Sequence, residues 1–101
     1  MRIPQVEMQR KFNEGRYWER LVEGEFTAVI MEHRHPSLML ANEPFCTFSQ
    51  MVSYRDSQDK EIARVHQYLR PDGSIGASGR PDPKRLFEDG ILYRLVKRPQ
   101  K

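Results

Sequence analysis

Residues 45–70 constrain the fold more tightly than any other part of the chain. Two β-prone runs, FCTFSQMVSYRD and EIARVHQYLR, are joined around the polar stretch SQDK. β-branched and aromatic residues on both sides of turn-forming ones predict an antiparallel hairpin. An isolated hairpin is marginal in water, so it must recruit further strands or a helix.

Both are available. Pro4 suits the first position of a short helix running to about Asn13, with Val6, Met8 and Phe12 roughly on one side and Gly15 as its stop. FTAVIMEHRH reads as a strand from its β-branched content. The preceding segment is ambiguous. Trp18, Leu21 and Val22 have helical spacing, yet Glu23-Gly24 between β-prone runs can close a hairpin, and the hairpin is the preferred reading. Pro71-Asp72-Gly73 should turn the chain after the second hairpin strand, allowing SIGAS to form a short further strand. Asp82-Pro83 resembles a helix start, KRLFED a short helix near 83–89, Gly90 its end and ILYRLVKR the last strand. The expected fold is α+β and mainly antiparallel: one sheet of four to six strands with a short N-terminal helix and a short helix near 83–89.

A chain of 101 residues fits one small domain spanning 1–101. Hydrophobic residues are 38% and charged residues 31%, which suits a modest core beneath a polar surface. No apolar run reaches the roughly 18 residues of a membrane span, and MRIPQVEMQRKF lacks a signal-peptide core. Cys46 is the only cysteine, which rules out an internal disulfide and fits a reducing compartment. Together these features predict a cytoplasmic protein with no membrane partner.

Charge is divided unevenly. Residues 1–63 carry 8 Lys/Arg against 10 Asp/Glu, a net of −2, whereas residues 64–101 carry 9 against 4, a net of +5. A basic C-terminal third can face phosphates or an acidic protein. Reading EIARVHQYLR with period two places Ala63, Val65, Gln67 and Leu69 on a core face. Ile62, Arg64, His66, Tyr68 and Arg70 fall on the other. Guanidinium groups pair with phosphate, and a phenol ring stacks on an unpaired base. In RPDGSIGASGRPDP, Gly73, Gly76 and Gly79 lie among Arg70, Arg80, Lys84 and Arg85. The spacing matches neither the P-loop nor the dinucleotide fingerprint. Turn chemistry explains most of it, with an anion held on glycine amides as the alternative.

The functional expectation is a nucleic-acid-binding module, with RNA ahead of DNA, using Arg64, His66, Tyr68, Arg70, Gly76, Arg80, Lys84 and Arg85. Arg94 and Lys97 are outlying cations of the same surface. The first alternative is a metal-independent, toxin-like ribonuclease that pairs His66 with His33 or His35, aided by Arg64, Arg70 and Tyr68. The second is a protein-interaction or dimerisation subunit using Leu38, Met39 and Leu40 in the apolar 37–45 loop. His33-x-His35 could open a metal site with His66 and Glu43, but two ligands are too few, and no metal or cofactor is expected.

Overall fold

The computed structural model describes residues 1–34, 47–76 and 79–96, and at His33 and Arg34 the backbone only. In chain order the elements are β1 (Arg2–Ile3), α1 (Gln5–Glu14), α2 (Tyr17–Val22), β2 (Thr27–Arg34), β3 (Phe48–Arg55), β4 (Glu61–Leu69), β5 (Asp82–Glu88) and β6 (Ile91–Leu95). The six strands form one sheet in the order β1-β6-β5-β4-β3-β2. Every neighbouring pair is antiparallel except β1 with β6, which is parallel. The α+β class and the mainly antiparallel sheet therefore stand.

The β3–β4 hairpin forms as its pattern predicts, with Val52 opposite Val65 and Tyr54 opposite Ala63. Its turn is closed by the Asp56 carboxylate, which accepts from the amides of Gln58 and Lys60. In α1, Met8 and Phe12 are one turn apart and both buried, whereas Val6 points to solvent at 79% exposure. The helix packs against β5 and β6. Gln5 pins its start by donating to the Asp82 carboxylate (2.9 Å) and the Pro83 carbonyl (3.1 Å).

Two expectations are corrected. Residues 17–22 form the helix α2, with Trp18 and Leu21 packing partly against the core, and Gly24 ends it with φ 93°. Residues 82–88 are a strand instead of a helix, because β4 and β6 offer hydrogen-bonding edges on both sides. Pro83 is tolerated there beside a bulge between Arg64 and Val65. Asp89 (φ 52°) and Gly90 (φ 77°) then make the two-residue turn into β6, with both central residues left-handed as a type I′ turn demands. In SIGAS, Ile75 forms an antiparallel bridge with Leu69, while Ala77 and Ser78 lie outside the described residues.

One face of the sheet meets both helices. Tyr54, Ala63, Val65 and Leu86 are fully buried there with Met8 and Phe12, and Tyr17, Phe26 and Tyr93 close the margins. Side chains such as Phe12, Met8 and Leu86 contribute about 1.5–3 kcal/mol each when fully buried. Tyr17 donates to Glu88 (2.7 Å), fixing α2 to β5. His35, Cys46, Leu38, Met39, Leu40 and Lys97 lie outside the described residues.

Candidate nucleic-acid interface

Residues directly opposite one another on paired strands share a face of the sheet. Arg2 stands opposite Arg94, Arg94 opposite Arg85, and Arg85 opposite Arg64. Four arginines thus form a row across β1, β6, β5 and β4, on the face away from the helices. Adjacent strands are about 4.8 Å apart, so the row spans roughly 14 Å.

Compensation along the row is thin. Glu61 bridges Arg64 at 3.1 Å and Arg85 at 3.8 Å. Ser53 also donates to it, at 2.6 Å. Burial would raise the Glu61 carboxyl, but the hydrogen bonds from Ser53 and Arg64 and the two guanidinium charges outweigh it and hold the group below its ordinary range. Arg85 is driven the other way: burial, then the charges of Arg64 and Arg94, lower its proton affinity despite Glu61. Lys60 adds a further cation, seated 3.6 Å from the centroid of the Phe87 ring on the same side of β5.

Farther along β4, the same face carries His66 and Tyr68, whose rings meet edge to face at 4.8 Å between centroids. The Ser49 hydroxyl lies 2.7 Å from His66 Nε2. Burial, then the Lys84 charge, lower the His66 pKa below its usual value, with Asp82 opposing. The shift favours the neutral imidazole, which shares a hydrogen bond with the Ser49 hydroxyl. This pair has the spacing of a base and a nucleophile. The Asp82 carboxylate is occupied by Gln5 and by Lys84 (2.9 Å).

The other expected residues are dispersed. Arg80 donates from Nη2 to both carboxylate oxygens of Glu19 (3.1 and 3.0 Å) and lies over the Trp18 ring, tying the loop to α2. Lys84 pairs with Asp82. Arg70 closes the 70–74 turn through its amide, which donates to the Ser74 carbonyl. The three glycine amides donate to the carbonyls of Arg70 (Gly73), Tyr68 (Gly76) and Gly76 (Gly79), so each serves the turn. His33 is in register with Gln50, and His66 with Met51, which sets the two histidines in adjacent rows of the sheet.

Arg64, His66, Tyr68 and Arg85 thus share the face opposite the helices, and Arg94, read from sequence as outlying, is central to it. Arg2 and Lys60 were not anticipated. A lone arginine in RIP and a lysine in a turn carry no local signal; only the strand order brings them in.

Where β5 separates from β4 beyond the His66–Asp82 pair, a cleft of about 160 Å³ opens. It is lined by Gln9 of α1, by His66, Gln67 and Tyr68 of β4, and by Gly76, Arg80 and Asp82. Gln67 donates to Gln50 at 3.0 Å and Gln9 to Asn13 at 3.1 Å. Among the described residues, no group of three or more His, Cys, Asp and Glu side chains could hold a metal, and no helix is long and apolar enough to cross a membrane. No protein-family model, curated protein or solved structure matches the chain.

Proposed function

We propose that this protein binds the phosphate backbone of nucleic acid, RNA in the first instance, on the open face of its sheet. The observation that carries the reading is the row Arg2–Arg94–Arg85–Arg64. Like charges directly opposite on a sheet oppose folding, and here three such pairs stand in sequence with one carboxylate, Glu61, between two of them. A polyanion laid across the strands supplies the missing negative charge, and the guanidinium groups can take phosphates beside the bonds they already make, Arg64 to Glu61 and Arg2 to the Leu95 carbonyl.

The test is fluorescence anisotropy with a mixed-sequence single-stranded RNA in EDTA at 50 and 200 mM salt, followed by a gel of the RNA. Four phosphate contacts give a slope of about −2.8 in log K against log salt, or roughly a 50-fold loss between the two conditions. Salt-insensitive affinity, or none, overturns the reading and turns attention to an acidic protein partner.

A second reading, metal-independent RNA cleavage, is favoured by the neutral His66 imidazole beside Tyr68 and within hydrogen-bond reach of Ser49. Cleaved RNA on the same gel supports it. Intact RNA after prolonged incubation removes it.

A further inference from the structure

We propose that the cleft beside β4 takes one unpaired nucleobase of pyrimidine size, from the same strand whose phosphates lie on the arginine row. The inference rests on the nucleic-acid reading above and makes the preferred ligand single-stranded.

Size is the first argument. The cleft's 160 Å³ is on the scale of a cavity of about 150 Å³ that admits one benzene ring. A single six-membered ring matches that volume more closely than two fused rings do.

Chemistry is the second. Two aromatic rings, His66 and Tyr68, border the space, and unpaired bases are held by stacking on such rings. Its remaining walls bring two carboxamides, Gln9 and Gln67, and the Asp82 carboxylate. A carboxamide offers a donor and an acceptor and a carboxylate offers acceptors, which matches the mixed edge of a base. All three are braced by neighbours: Gln67 by Gln50, Gln9 by Asn13 and Asp82 by Gln5. Groups fixed in advance lose little freedom on binding.

Charge is the third. The cations near the cleft already have carboxylates, Arg80 with Glu19 and Lys84 with Asp82. A nearly neutral, polar, aromatic-sided recess suits a base better than a phosphate. Tyr68 lies four residues from Arg64 along β4, about 13 Å. Four nucleotides stacked at about 3.4 Å cover that distance. A duplex would first have to expel the base from its stack.

The experiment uses the full chain and three labelled eight-nucleotide strands of equal phosphate count: oligouridylate, oligoadenylate and an abasic ribose-phosphate strand. Anisotropy is measured at 50 and 200 mM salt. Oligouridylate should bind about tenfold tighter than the abasic strand, with the same salt slope, and oligoadenylate should stay close to the abasic strand. Tyr68→Ala should remove the uridylate preference and leave the salt slope.

Equal, salt-sensitive binding of uridylate and abasic strands overturns the base site while leaving the phosphate surface intact. An equal gain for adenylate overturns the size match. A preference that survives in folded Tyr68→Ala removes the stacking wall. Should that variant not fold, the three-strand comparison on the unaltered protein decides. Failure of every strand to bind removes both readings together.

Discussion

Replacing Arg85 by methionine should make the protein more stable and a poorer ligand-binder. Arg85 stands between Arg64 and Arg94, directly opposite both, and its side chain is only 31% exposed. Each directly opposed like-charge pair costs roughly 0.2–1 kcal/mol, so removing the central guanidinium relieves about 0.4–2 kcal/mol. The Glu61 contact at 3.8 Å is lost with it, and a partly exposed ion pair of that length offsets about 0.2–1 kcal/mol. Methionine keeps the unbranched apolar stem, so packing changes little. The net gain is about 0.2–1 kcal/mol, or roughly 1–8 °C in Tm for a domain of this size. Thermal unfolding followed by circular dichroism at 20 and 500 mM NaCl reads it. Salt screens the repulsion that the substitution removes, so the gain should shrink by about half or more at the higher salt. In the binding assay, the same variant should lose close to one phosphate contact, seen as a salt slope shallower by about 0.7. A variant destabilised by more than about 0.5 kcal/mol at low salt, or one whose gain ignores salt, would refute the claim that the row is electrostatically strained.

Three further outcomes follow from single side chains. Glu61→Gln should cost about 1–3 kcal/mol, since it weakens charge-assisted bonds from Ser53 and Arg64 and leaves the row without its carboxylate, and urea unfolding will report it. Because the folded Glu61 carboxyl is held below its ordinary value of 4.5, its contribution is full above that pH and is lost as the pH falls through the folded value. The Gln variant should therefore show a flatter stability profile below about pH 5; an unchanged profile contradicts the assignment. Tyr54→Phe should leave stability unchanged or raise it by up to about 1 kcal/mol, since the buried hydroxyl has no hydrogen-bond partner among the described residues, and a loss beyond about 1.5 kcal/mol would show that it has one. His66 should titrate below 6.5 in an NMR experiment, so its stabilising contribution is present above that value and fades as the pH drops to the folded pKa; a titration above 6.5 would mean that a carboxylate outweighs burial and Lys84.

Much of the fold was legible because local chemistry and the final pairing agree. Val52, Tyr54, Ala63 and Val65 alternate as a half-buried hairpin must, and Pro4 and Gly15 bracket α1 as sequence rules expect. The errors arise where a local signal had two meanings. Asp82-Pro83 followed by KRLFE is a plausible helix start, yet the open edges of β4 and β6 claim those backbone groups. Asp89-Gly90 is a strong two-residue hairpin signal; reading Gly90 as a helix stop hid it. Glu23-Gly24 misled in the opposite direction, because Trp18, Leu21 and buried Tyr17 reward a helix by packing on the core. The site was half legible. Period two found Arg64, His66 and Tyr68, but no reading along the chain could align positions 2, 64, 85 and 94. Their alignment is a property of strand order and register.

That alignment also makes the length of the charged row depend on the shortest strand of the sheet. The outermost arginine is held by a strand of two residues, through the Arg94 amide on the Met1 carbonyl and the Val96 amide on the Ile3 carbonyl. Closing that pair brings together positions more than ninety residues apart, and the Met1 ammonium on the Leu92 carbonyl and the Arg2 guanidinium on the Leu95 carbonyl help to hold it. Short margins of this kind open at far lower free energy than the centre of a sheet. Release of β1 would shorten the charged row from four members to three while the β3–β4–β5 centre stays intact. Such release would give the surface two settings of its cationic reach, and a polyanion long enough to touch all four arginines would hold the first strand in place.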